Sequence, residues 1–164
     1  MTVYNDTAAK VMDILISKKI TISVMESCTS GLIASMITDT EGASAVFEGG
    51  YVTYSNRVKE KAGVDCGIIQ KYGVYSPECA QAMAESVKKA LCSDIAVGIT
   101  GTTGNTDPNN TDSIAGEAFF CIIYGNVPHG YHIKADVTGM CRHDIKQMYA
   151  DRVFGELYKL LSAE

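Results

Sequence analysis

A serine and a lysine in the first half of the chain are of the types that form a nucleophile and its base. Ser44 falls in a predicted turn, Gly42-Ala43-Ser44, and Lys59 falls in the first turn of a predicted helix that follows Tyr54. The positive end of a helix disfavours a charged lysine, and burial adds to that effect. A neutral amine can take the proton of a serine hydroxyl. We therefore consider Ser44 as nucleophile, Lys59 as base and Tyr54 as a positioning group, against the alternative of a turn serine and a solvated lysine.

A second group of reactive side chains follows the apolar run Ile20–Val24. The segment Met25–Gly31 reads M-E-S-C-T-S-G, at the predicted junction of a strand and a helix. Ligands of open α/β sheets bind at such junctions, and free amides at a helix start favour an anion. The candidate substrate-binding residues here are Ser27, Cys28, Thr29 and Ser30. Ser and Thr are also common N-caps, so simple capping stays open as the alternative.

Two later segments add candidate binding residues. The glycine-rich stretch G-I-T-G-T-T-G begins at Gly98, and its backbone around Thr100 and Gly101 could approach a ligand closely. Arg142 stands at the predicted start of the last helix, where its guanidinium could pair with a phosphate.

Composition limits the possible classes of function. The chain has 164 residues, 46% of them hydrophobic, and a net charge of −5 without a basic run. This predicts a single domain over residues 1–164 and argues against binding to nucleic acid or an anionic membrane. The six cysteines form no C-x-x-C and no zinc-ligand spacing, so we expect neither a metal nor a cofactor. Since no signal peptide or membrane-length apolar run is present, we expect a soluble cytoplasmic protein.

The predicted elements alternate between helix and strand. Helices are expected over residues 6–18, from 29–31 onward, over 57–62, 77–92 and 143–161, the first capped by Asn5 or Asp6. Strands are expected at 20–24, 49–56, 95–99, 118–124 and 131–137, the last two forming a hairpin around 125–130. This order predicts an α/β fold, a three-layer α/β/α sandwich on a mixed sheet.

Four ordered segments resemble the CinA C-terminal-domain family. They are ESCTSG (26–31), GASAVFEGGYVTYSNRVKEKAGV (42–64), YGVYSPE (72–78) and GITG (98–101). The F-x-x-G-x-V-x-YSN-x-x-K part is the most specific, and it is matched from Phe47 to Lys59. Together the segments span nearly the whole chain.

The resemblance implies an α/β/α fold, frequently dimeric, and nicotinamide mononucleotide deamidase activity in pyridine-nucleotide salvage. The family's serine–lysine pair, carried over by position, falls on Ser44 and Lys59, with Tyr54 beside them. No metal or cofactor is implied, and the partner expected is a small-molecule nucleotide, with a homodimer or higher homo-oligomer. Some members carry an extra N-terminal domain, which we do not expect in a chain of this length.

The sequence departs from the family pattern at three places. Ser30 replaces a glycine, the segment after Gly101 reads TTGNTDPNNTD where a glycine-rich run is expected, and Lys146 replaces an arginine. Two other hypotheses therefore stay open. In one, Cys28 is the nucleophile, with Glu26 and Lys59 as partners, because a helix N-terminus lowers a thiol pKa. In the other, the chain is a catalytically silent nucleotide-binding or regulatory module.

Overall fold

A mixed five-stranded sheet forms the centre of the molecule. The computed structural model describes residues 6–163. The strands are β1 (Ile22–Glu26), β2 (Phe47–Val52), β3 (Ile95–Gly101), β4 (Glu117–Tyr124) and β5 (Val127–Lys134), in the spatial order β2-β1-β3-β4-β5. The first three strands are parallel, and β4 and β5 continue the sheet antiparallel. The carboxyl ends of β1, β2 and β3 therefore meet at one edge of the sheet.

Helices cover both faces of this sheet. They are α1 (Asp6–Lys18), α2 (Leu32–Thr38), α3 (Asn56–Lys61), α4 (Cys66–Tyr72), α5 (Pro77–Leu91) and α6 (Arg142–Ser162). One apolar cluster joins α1, α2 and α6 to the sheet, and a second joins α4 and α5 to its other face. The predicted three-layer α/β/α sandwich on a mixed sheet is confirmed.

Alternation along the buried strands explains the two clusters. In β1, Ile22 and Val24 belong to the first cluster, whereas Met25 belongs to the second. Successive side chains of a strand point to opposite faces, so a strand buried on both faces is mostly apolar. All five residues of β1 and all seven of β3 are buried.

Gly98 shows why one glycine of the GITG segment is needed. A Cβ at this position would lie 2.2 Å from the carbonyl oxygen of Ala80 and 2.5 Å from the amide nitrogen of Ala84, both in α5. The missing side chain thus lets helix α5 pack closely on β3. At Gly98 the close approach serves packing within the protein.

Several element boundaries differ from the expectation. Strand β1 starts and ends two residues later, β2 ends at Val52, and helix α4 was not predicted. The hairpin is confirmed, but its turn is shorter than expected, because Val127 already pairs with Tyr124. Pro128 lies within β5, an outermost strand where a missing N–H donor is tolerated. The expected cap at Asn5 lies outside the described residues.

Candidate active site

A cavity of about 580 Å³ opens at the edge of the sheet where the parallel strands end. Its walls come from the segments after β1, β2 and β3, from the turn before α5, and from the start of α6. The lining residues used below are Ser27, Cys28, Tyr54, Arg57, Lys59, Tyr75, Gly101, Thr103, Asp107, Asn110 and Arg142. This is the position at which open α/β sheets bind their ligands.

Ser27 and Lys59 are in direct contact inside this cavity. The Lys59 side chain is 1% exposed, and its Nζ lies 2.9 Å from Ser27 Oγ and donates to the carbonyl of Thr53 at 2.7 Å. The hydroxyl of Ser55 caps α3 by accepting from Val58 N at 3.3 Å, which fixes the helix start that carries Lys59. A hydroxyl and a buried amine are thereby held within hydrogen-bond distance.

Burial determines the protonation behaviour of Lys59. Loss of solvent lowers the pKa of this amine, and the nearby Cys79, Cys28 and Asp107 oppose the effect more weakly. The predicted direction of the shift is confirmed, although burial is its main cause. A neutral amine accepts a proton from the adjacent Ser27 hydroxyl, and an ammonium group cannot.

The expected contact between Ser44 and Lys59 is wrong. Ser44 is exposed in a 3₁₀ turn, Ala43–Ala45, just before β2, whereas Lys59 follows the opposite end of that strand. A strand of six residues is about 20 Å long, so the two side chains lie at opposite edges of the sheet. Ser27 instead reaches Lys59, because the parallel pairing of Glu26 with Val52 brings the ends of β1 and β2 together. Both residues follow the carboxyl ends of predicted strands, and this shared position is the signal in the sequence that could have favoured Ser27.

Glu26 is the cap of helix α2. Its buried carboxylate accepts from the amides of Gly31 at 2.9 Å, Ile33 at 3.2 Å and Ala34 at 2.8 Å. An anion at a helix start is stabilised by these N–H groups and by the helix dipole. The M-E-S-C-T-S-G segment therefore combines two roles, with Glu26 as the cap and Ser27 and Cys28 as the cavity wall.

Three of the expected binding residues do not line the cavity. Thr29 is fully buried, and Thr100 donates its hydroxyl to the carbonyl of Val74 at 2.9 Å. Ser30 is exposed, adopts a left-handed backbone with φ of 49°, and accepts a hydrogen bond from Lys146 Nζ at 3.2 Å. Ser30 and Lys146, two of the residues that differ from the family pattern, are thus in contact with each other. Gly101 does line the cavity.

Cys28 lies in the cavity wall as a neutral thiol. It is 5% exposed, and burial raises its pKa to about 12, with Lys59 opposing this shift. A thiolate is the nucleophilic form of cysteine, so a raised pKa argues against Cys28 as the attacking group. The expected lowering by the helix start is outweighed by loss of solvent.

Arg142 and Tyr54 meet in the wall of the cavity. Arg142 begins helix α6 and donates from Nη2 to Tyr54 Oη at 3.2 Å. Tyr54 is 63% exposed, and both residues line the cavity. This contact leaves the guanidinium with further N–H donors for a ligand.

The loop between β3 and β4 supplies cavity residues that sequence reasoning missed. Asp107 accepts from Tyr75 Oη and from Asn110 Nδ2, each at 2.6 Å. Thr103 is 4% exposed and lines the cavity, and its Oγ1 has no hydrogen-bond partner among the described residues. Since this loop departs from the family pattern, the sequence contained no signal for these contacts.

Within residues 6–163 no three His, Cys, Asp or Glu side chains are grouped closely enough to hold a metal ion. None of the helices in this described part is both long and apolar enough to cross a membrane.

The sheet order and the site together define the class, a three-layer α/β/α protein with a ligand-sized cavity at the carboxyl ends of its parallel strands. The chain belongs to the CinA family, because the family model for the CinA C-terminal domain matches residues 4–161.

Relatives and solved structures agree with this assignment. A protein from Mycoplasma pneumoniae, the MG115 homolog, is 32% identical over 90% of this chain and 92% of its own length. A CinA-like protein from Pseudothermotoga lettingae is 40% identical over 68% of this chain but only 28% of its own length. The chain thus matches about a quarter of such longer relatives. A CinA superfamily protein from Klebsiella pneumoniae has the same fold, with a TM-score of 0.89 at 18% identity over 99% of this chain and all of that one.

Proposed function

We propose that this protein is an amidohydrolase that deamidates nicotinamide mononucleotide to nicotinate mononucleotide and ammonia, with Ser27 as nucleophile and Lys59 as general base. The observation that carries the proposal is the 2.9 Å contact between Lys59 Nζ and Ser27 Oγ inside the cavity. The substrate is the one implied by the resemblance to the CinA C-terminal-domain family.

The two residues perform a two-step hydrolysis. Neutral Lys59 takes the proton of Ser27 Oγ as this oxygen attacks the carboxamide carbon, and the C–N bond then breaks. The leaving nitrogen takes the proton from Lys59 and departs as ammonia. Water, deprotonated by the same amine, attacks the acyl-serine ester and releases the carboxylic acid together with the free serine. The peptide N–H group of Cys28, directly after the nucleophile and in the cavity wall, is the candidate for stabilising the oxyanion.

The cavity has the size and charge for a mononucleotide. Its volume of about 580 Å³ lies within the range of small-molecule sites. Arg142, with the adjacent Tyr54, offers a cationic group for the phosphate. Ser44 has no part in this proposal, because it lies outside the cavity.

The second candidate function is a silent nucleotide-binding or regulatory module of the same fold. The altered loop after Gly101 favours it, since Asp107 and Asn110 occupy a wall where the family has a glycine-rich run. In this alternative the cavity binds a nucleotide, and the contact between Ser27 and Lys59 is structural only.

The test is ammonia release from nicotinamide mononucleotide by purified protein and four variants. Ser27→Ala and Lys59→Ala should each lower kcat by at least about a thousandfold, because the two groups act as one unit. Ser44→Ala is the matched control, a serine on the far edge of the sheet, and should keep wild-type activity. Cys28→Ser should keep much of the activity, because it preserves size and a polar group in the wall.

A folded Ser27→Ala protein with near-normal turnover would contradict the assignment. An acyl group trapped on Cys28 and absent from Ser27 would establish the alternative nucleophile. Binding of the nucleotide by the wild-type protein with no ammonia release would favour the silent module.

A further inference from the structure

We propose that Asp107, fixed in the cavity wall by Tyr75 and Asn110, selects ligands in which the ring carrying the amide bears a positive charge. This inference rests on the proposed function. It assigns a role in substrate choice to the loop after Gly101, which differs from the family pattern.

The position of Asp107 is fixed by hydrogen bonds from three directions. One carboxylate oxygen accepts from Tyr75 Oη and Asn110 Nδ2, each at 2.6 Å, and the other accepts from Asn109 N at 2.9 Å. Asn110 in turn accepts from the side-chain amide of Asn56, the first residue of α3, at 3.2 Å. The loop is thus attached to both the turn before α5 and the helix that carries Lys59.

The charge of Asp107 is not cancelled by an ion pair. Among the residues 6–163 that the structure describes, no basic side chain lies within salt-bridge distance of this carboxylate. The hydrogen bonds from Tyr75 and Asn110 hold its pKa below the ordinary value, so it is ionised at neutral pH. Lys59 is close enough to influence Asp107, but in the proposed reaction Lys59 begins as a neutral amine.

A carboxylate and an aromatic ring together favour an organic cation. The ring of Tyr75 lines the same cavity as Asp107, and aromatic faces attract cations through their quadrupole. Arg142, in the same lining, suits the phosphate of the ligand. The cavity therefore has a negative group for a cationic ring and a positive group for an anionic tail. A pyridinium mononucleotide has this distribution of charge.

The experiment compares two ligands that differ only in ring charge. Nicotinamide mononucleotide carries a pyridinium, and benzamide riboside 5′-monophosphate has a neutral ring with the same carboxamide, ribose and phosphate. The Ser27→Ala protein, which should not turn the ligands over, should bind the cationic ring about tenfold more tightly, as expected for one partly screened charge interaction. Adding Asp107→Asn keeps the size and one acceptor oxygen, and it should abolish this preference by weakening only the binding of the cation. Asp112→Asn removes the same charge from the same loop outside the cavity lining and should retain the preference.

Binding of both ligands to Ser27→Ala, measured by calorimetry, separates this inference from the proposed function. If the preference for the cationic ring is equal in Ser27→Ala and Ser27→Ala/Asp107→Asn, the role of Asp107 is refuted, whatever the activity. If the cationic ligand binds better only when Asp107 is present, the role of Asp107 in ligand selection is supported. If the wild-type protein then releases no ammonia, the proposed deamidase activity is rejected separately. If neither ligand binds, both the role of Asp107 and the proposed deamidase activity are refuted.

Discussion

Lys59 combines a charge-bearing side chain with nearly complete burial. Lysine is almost never fully buried without a partner, because moving an ammonium group out of water is costly. Here the amine has two oxygen partners, Ser27 Oγ and the Thr53 carbonyl, and neither carries a charge. Such an environment stabilises the neutral base relative to the ammonium ion. In its charged form Lys59 would destabilise the folded protein. In its neutral form the same residue is able to activate a hydroxyl.

The pH dependence of the proposed reaction follows from this environment. Since the pKa of Lys59 is lowered by burial, the fraction of neutral amine rises as pH increases through that lowered pKa, below the ordinary 10.5. We expect kcat to increase over the same range and then to level off. Lys59→Arg should be inactive at every accessible pH, because a guanidinium is never deprotonated. The measurement is a pH–rate profile for the proposed substrate.

Rescue of Lys59→Ala by small primary amines distinguishes a base from a structural group. Activity should return in proportion to the concentration of free amine, with a profile that follows the pKa of the added amine. A pH-independent kcat in the wild-type protein, or no rescue by any amine that fits the cavity, would argue against proton transfer by Lys59.

Helix α2 is short, and its start is determined by one buried carboxylate. The helix has seven residues, its N-cap Gly31 provides no side-chain cap, and Glu26 supplies the acceptors from the preceding strand. Glu26 also immediately precedes Ser27. The end of β1 thus fixes both the start of helix α2 and the position of Ser27, so the stability and the geometry of the site both depend on Glu26.

Glu26→Gln should therefore destabilise the fold and disturb the site. The amide keeps one acceptor oxygen but turns an NH₂ group toward backbone donors, which costs roughly 1–3 kcal/mol for a buried unsatisfied group. Urea denaturation should show this loss in the free energy of unfolding, with a lowered kcat. Glu41→Gln, an exposed residue after the same helix, is the control and should change stability by less than about 0.5 kcal/mol. An equal effect of the two substitutions would show that the cap contributes nothing specific.

Local signals predicted the elements better than they predicted the contacts. The start of α5 follows from Ser76 and Pro77, and Ser76 Oγ does accept from Cys79 N at 3.1 Å. Helix α4 was missed because its seven residues bury only Ile69, too few for a helical pattern. The pairing of Ser27 with Lys59 depends on the register of two strands distant in sequence, and no local signal encodes that register.

At the scale of the whole molecule, the cavity depends on the change from a parallel to an antiparallel sheet. The three parallel strands end at the cavity, whereas the β4–β5 hairpin extends the sheet and leaves the long loop after Gly101 at the same edge. The family pattern was sufficient to predict the α/β/α layers. It was not sufficient for the wall at Asp107, because that wall is built from the segment in which this chain departs from the family.

The protein as a whole is acidic, with a net charge of −5, so a local cation is needed to bind an anionic ligand. Arg142 supplies it from the start of α6, in contact with Tyr54. Lys146, one turn further along the same helix, is held by Ser30 instead and does not line the cavity. The two basic residues therefore make a matched pair, one inside the site and one outside it.

Removing the phosphate from the substrate should have a large effect only while Arg142 is present. A charge-assisted hydrogen bond contributes about 1.5–3 kcal/mol, so the nucleoside should have a kcat/KM about ten- to a hundredfold below that of the mononucleotide. Arg142→Ala should reduce the ratio of kcat/KM between mononucleotide and nucleoside to less than about threefold, by lowering kcat/KM only for the mononucleotide. Higher salt should reduce the same ratio in the wild type. Lys146→Ala removes the same charge and should leave the gap unchanged. If Arg142→Ala and Lys146→Ala lower kcat/KM for the mononucleotide equally, the phosphate senses only the general field of α6. If nucleoside and mononucleotide have equal kcat/KM in the wild type, the phosphate lies outside the cavity.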